Sequence, residues 1–134
     1  MSYNIKEDEF VNEKQNLIFL LKNISGNLPC PECSSDATDL LNKINFNNIN
    51  TKEDFKMLII NFHNHVNKKL KNETPSEQIL EKYKHLDIVN VTQLWYQYFT
   101  RYGIEAHEFM EGMKRDNVRN EVYRFITNNR FAFD

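Results

Sequence analysis

Few residues in this sequence break secondary structure: it has three glycines and three prolines in 134 residues. Breakers that sparse, between long periodic stretches, favour an all-α chain over a turn-dense one. No run of about 18 apolar residues occurs, so no segment is fit to span a bilayer as a helix. The formal net charge is only −2. A balance so near neutral gives no electrostatic reason to expect nucleic acid or an acidic membrane as partner. The opening, Met1 to Phe10, is polar and acidic, unlike a secretory signal or an Arg-rich transit peptide. The expected location is therefore cytoplasmic. Glycine loops that cradle phosphates, Ser/His/Asp arrangements and paired-carboxylate sites are also missing.

Cysteine is scarce too, with two in the whole sequence, Cys30 and Cys33 in Cys30-Pro31-Glu32-Cys33. A disulfide scaffold would need more of them. A lone CxxC points to redox chemistry or to half of a metal site.

The length fits one domain over residues 1–134. Phe10, Leu17, Leu21 and Ile24, widened by Ile18 and Leu20, predict a helix from about Glu7 to Ser25. A second helix is expected to start inside the CxxC. Pro31 suits its first turn, Glu32 complements the positive helix start, and Ala37, Leu40, Leu41 and Ile44 face inward. After an Asn-rich loop, Thr51 caps a third helix, with Asp54 three residues on as a variant capping box. Phe55, Leu58, Ile59, Phe62, Val66 and Leu70 form its apolar face. Thr74-Pro75-Ser76-Glu77 caps a fourth helix carrying Ile79, Leu80, Tyr83 and Leu86. Two further segments follow, about Thr92 to Tyr102 and about Glu105 to Thr127. The last contains Phe109, Met113, Val118, Val122, Phe125 and Ile126, and a mixed-charge face of Glu111, Lys114, Arg115, Asp116, Arg119 and Glu121. Asn128 to Asp134 reads as a mobile end or a docking segment. The expected fold is an all-α bundle of about five or six helices.

A cysteine at a helix N-terminus has its thiolate stabilised by unpaired N–H groups and the helix dipole, and the thiolate is the form that attacks disulfides. Other readings compete. Zinc could take Cys30 and Cys33 with His63 and His65, but histidines two apart on a helix point in different directions, and zinc fingers want a wider spacing. A thioredoxin-like site needs a strand before the CxxC, where a helix is predicted here. A purely structural disulfide across so short a loop gains little unfolded-state entropy.

Downstream, His63, Val66, Asn67 and Leu70 fall at i, i+3, i+4 and i+7 and make one stripe. Taken alone, this is an ordinary core face with a locally satisfied His and Asn. Together, Leu28-Pro29-Cys30-Pro31-Glu32-Cys33 and His63-Asn64-His65-Val66-Asn67-Lys68-Lys69-Leu70 resemble the Erv/ALR family of FAD-dependent sulfhydryl oxidases, particularly its short viral members. Lys82-Tyr83 looks like the pair on the family's short following helix. The resemblance covers about residues 7 to 86, leaving residues 87–134 as a helical extension of an Erv/ALR-like four-helix core.

That resemblance implies FAD as cofactor and protein dithiols as substrates, with electrons passing from the cysteine pair to flavin and then to O₂. It makes Cys33 the flavin-proximal thiol and Cys30 its exposed partner. His63, Asn64, Val66, Asn67 and Leu70 would line the cofactor, with Tyr83 beside them and Lys69 near its phosphates. It also implies a homodimer, and a viral member would serve virion proteins in the host cytoplasm. The sequence departs from the family in three places. The family's opening helix, W-G-x-x-x-W-x-x-x-H, has no counterpart before the CxxC; Asp36 stands where a histidine is common; Lys71-Asn72 replaces a Gly-Lys. Two accounts follow. Either the segment Val91 to Tyr102 folds into the vacated groove, with Trp95, Tyr98 and Phe99 as an aromatic wall, or the chain is a redox-degenerate interaction protein on the same fold.

Overall fold

The computed structural model describes residue 2 and residues 4–28, 30–69, 85–98 and 106–133, with the backbone alone for residues 67, 97, 98 and 106–112. The fold is all-α. Its helices are α1 (Glu7–Gly26), α2 (Pro31–Asn42), α3 (Lys52–Lys69), α4 (Ile88–Tyr98) and α5 (Ala106–Asn128), with short 3₁₀ turns at Phe46–Asn48 and Arg130–Ala132. Among the described residues the one β feature is an antiparallel bridge between Ile5 and Phe133. The helix predicted after Thr74 lies outside the described residues. None of the described helices is long and apolar enough to cross a membrane.

Local chemistry sets the helix boundaries. Glu7, Asp8 and Glu9 sit in the first turn of α1, where carboxylates complement the helix dipole. Asn27 closes that helix, its backbone N–H donating to the Ile24 carbonyl and its side-chain amide to the Asn23 carbonyl. At α3 the capping box is complete. The Asp54 N–H donates to Thr51 Oγ1, while Asp54 Oδ2 accepts from the Thr51 and Asn50 N–H groups. These bonds hold the Asp54 carboxyl below its usual range. α4 starts earlier than Thr92, because Asp87 Oδ1 accepts from the Val89 and Asn90 N–H groups.

The core gathers both ends of the chain. Ile5, Phe10, Leu17, Leu20, Phe55, Leu58, Ile88, Val118, Val122, Ile126, Ala132 and Phe133 form one buried cluster. The Phe10 and Phe55 rings lie 5.7 Å apart and join α1 to α3. α1 packs on α2 and on α5, and α5 packs on α4. Each fully buried side chain of this size contributes about 1.5–3 kcal/mol. The closing segment docks: the Lys6 N–H donates to the Ala132 carbonyl at 2.8 Å, and the Phe125 and Phe133 rings meet edge to face at 6.2 Å.

The mixed-charge face of α5 needs one correction. Arg119 and Asp116 do pair at i, i+3, but Arg115 is buried at 4% exposure. The inward stripe Val118, Val122, Ile126 extends back one turn onto Arg115, so helical geometry carries it inside. Met113, on the same helix, is exposed.

Candidate active site

Cys30-Pro31 opens α2 shortly after α1 ends. Cys30 is the N-cap residue of α2, in extended conformation, and Pro31 opens the helix, where a missing N–H costs nothing. The Cys33 N–H donates to Cys30 Sγ at 3.2 Å, so a sulfur takes the role that a Ser or Asp oxygen usually plays. Cys30 and Cys33 are joined as a disulfide, with Cα atoms 5.1 Å apart. Cys30 is exposed and Cys33 half-buried. Ser34 fixes the turn, its N–H donating to the Cys30 carbonyl and its hydroxyl to the Leu28 carbonyl.

The pair opens on a groove of about 290 Å³ between α2 and α3. Leu28, Ala37, Leu40 and Val66 give it apolar walls, and Glu32, Asp36, His65 and Lys69 stand around them. An ion pair crosses the groove from α3 to α2, joining Lys69 Nζ to Asp36 Oδ2 with both side chains about half exposed. The hydrogen bond to Asp36 raises the Lys69 pKa against the opposing effect of desolvation, and the charges of Asp36 and Glu32 add to the rise.

Of the residues expected at the site, the structure brings Cys30, Cys33, Val66 and Lys69 together. It sets His63 apart: the side chain is open to solvent on its outer side, with its ring edge to face with Phe62 at 6.2 Å. Protein on its inner side desolvates the imidazole and pushes its pKa below the ordinary value. Asn64 does not line the groove, but its Oδ1 is buried with no hydrogen-bond partner among the described residues. The Asn67 side chain, Leu70 and Tyr83 lie outside the described residues. Trp95 is partly buried against the main core cluster rather than beside the cysteines. The side chains of Tyr98 and Phe99 also fall outside the description.

The groove-facing positions on α3 are therefore 65, 66 and 69, a stripe that shares Val66 with the one starting at His63 but is rotated from it. Sequence reasoning missed His65, which lines the groove, and the pairing of Asp36 with Lys69. The opposite charges were the only signal for that pairing. Among the described residues no cluster of three His, Cys, Asp or Glu side chains is arranged to hold a metal ion.

With this geometry in place, comparison with known proteins identifies the class. The model of the Erv1 / Alr family matches residues 1–85, and the chain belongs to that family. No curated protein and no solved structure matches it.

Proposed function

We propose that the chain is a flavin-linked thiol oxidase that makes disulfides in protein substrates. The observation that carries this reading is a disulfide at a helix start, exposed through Cys30, beside an apolar-walled groove backed by the His63–Lys69 segment. Membership of the Erv1 / Alr family supports it.

The residues fit a flavin. The groove volume lies at the lower edge of the range for ligand pockets, roughly 300–1,000 Å³. Leu28, Ala37, Leu40 and Val66 suit a flat apolar ring. Lys69 offers a cation to a phosphate. When bound, FAD supplies an acceptor for the electron pair and a route to O₂.

The chain's own part is thiol exchange. A substrate thiolate attacks the exposed Cys30 sulfur, a new S–S bond forms, and Cys33 leaves as thiolate. The second substrate thiol then attacks its own sulfur in the mixed disulfide. Cys30 leaves with the electron pair, and the substrate departs oxidised. The pair has then gained two electrons, held in the half-buried Cys33 and its partner. Homodimerisation, work in the host cytoplasm or virion, and protein rather than small-molecule thiols belong to the same proposal.

The test is to purify the full chain, reconstitute it with FAD and follow oxygen with dithiothreitol as substrate. The expected result is a yellow protein that consumes oxygen and releases hydrogen peroxide. Cys33→Ser should keep the colour and lose turnover to background. A protein that stays colourless and leaves oxygen untouched is the redox-degenerate alternative.

A further inference from the structure

Lys69 reaches across the groove from α3 to α2. Its ammonium is held by Asp36, and Glu32, four residues earlier on the same helix, adds to the attraction. Residues three and four apart are neighbours on a helix surface, so Asp36 stands one turn beyond Cys33 on one face. Both line the groove that Lys69 crosses. A cation on α3 is thus anchored one helical turn from the inner sulfur of the pair.

We propose that Lys69 is a positioning residue for the Cys33 thiolate and that Asp36 sets how much of its charge the sulfur receives. In the disulfide state the sulfur carries no charge, and Lys69 belongs to Asp36. Reduction adds two electrons and two protons to the disulfide, and loss of the Cys33 proton creates a second anion beside the cation. Lys69 then divides its charge between carboxylate and thiolate. Cys30 needs no such help, since its sulfur already accepts the Cys33 N–H at the helix start. The two thiols of the pair would accordingly be tuned by different means, backbone dipoles for the outer one and a side-chain cation for the inner.

The charged and titratable groups around the groove are Glu32 and Asp36 from α2 and His65 and Lys69 from α3. Glu32 works in the same sense as Asp36, drawing Lys69 and repelling a thiolate. His65 stands on the same α3 wall as Lys69. The inference concerns the thiols themselves and holds whether or not the chain carries flavin.

The test uses the full-length protein with Cys30→Ser, which leaves Cys33 as the one thiol. The rate of iodoacetamide alkylation against pH gives the Cys33 midpoint, and far-ultraviolet circular dichroism verifies that each variant stays helical. Lys69→Gln is expected to raise the midpoint by about half a unit to one unit, because a nearby opposite charge is lost. Lys69→Arg should restore it. Asp36→Asn is expected to lower the midpoint by a similar amount. The lowering should shrink to half or less when Lys69 is already Gln, since only direct repulsion then remains. Equal shifts for Asp36→Asn in both backgrounds, or no movement with Lys69→Gln, would overturn the proposal. Measuring Cys30 alone, in Cys33→Ser, separates a local effect from a general one. A Lys69→Gln shift there as large as at Cys33 also overturns it.

Discussion

The two halves of α3 behave as if they belonged to different proteins. Its first half enters the main core, where Phe55 and Leu58 are buried and Phe10 packs on Phe55. Its second half, from Phe62 to Lys69, has no buried residue among its described side chains. The apolar periodicity runs through both halves with little change, so periodicity alone does not say which half is covered. Two other elements make the difference. The start of α3 faces α1 and shares a core with the tail, whereas its end faces α2 across the groove beside the cysteines. One end of the helix is spent on stability, and the other keeps its surface available for chemistry.

Substitutions can break this comparison. The largest effect is expected for Phe55→Ala, which removes a buried ring from the first half of α3 and should cost about 3–5 kcal/mol in urea melts. Val66→Ala, in the groove half, should cost about 1 kcal/mol or less, and on the proposed function it should also weaken flavin retention. If the two changes cost the same, the halves are not distinct. Removing residues 130–134 takes away the buried Phe133 and the Lys6–Ala132 backbone bond, and should cost about 2–4 kcal/mol. Oxidation by the cysteine pair, measured below the lowered melting temperature, should survive that truncation.

The smallest expected effect concerns the cap of α3. The Asp54 carboxyl has a folded pKa below its usual value of 3.8. The stability it contributes is therefore present above that value and lost as pH falls through the lower folded pKa. Asp54→Asn should lower the melting temperature slightly near neutral pH and make the acid-side decline shallower. An unchanged slope between about pH 5 and about pH 2 would remove the capping box from the account.

Much of the helical order was legible because it is written in short-range chemistry. Thr51 with Asp54 marked the start of α3, and Pro31 within the CxxC marked that of α2, before any tertiary contact was known. Asp87 gave the same kind of signal and was passed over, which put the start of α4 too late. Contacts between distant residues were harder to read. Arg115 is carried inside by the stripe it shares with Val118 and Val122, although its charge argues for the surface. Nothing local to Ile5 or Phe133 says that they meet. Cys30, Cys33, Val66 and Lys69 are the residues named from the resemblance that do line the groove. The face of α3 that meets α2 depends on how both helices lean on the rest of the bundle, so the exchange of His63 for His65 at the groove had no sequence signal.

The pairing of Ile5 with Phe133 has a consequence for how the molecule comes into being. A ribosome makes Ile5 more than a hundred residues before Phe133. Until then α1 has emerged with Phe10, Leu17 and Leu20 lacking their cover from the tail. Contacts so far apart in sequence slow folding, and exposed apolar surface on a nascent chain invites aggregation. Newborn copies should therefore depend on chaperones until Phe133 has emerged, and a ribosome stalled before it would release a chain unable to seal its own interior.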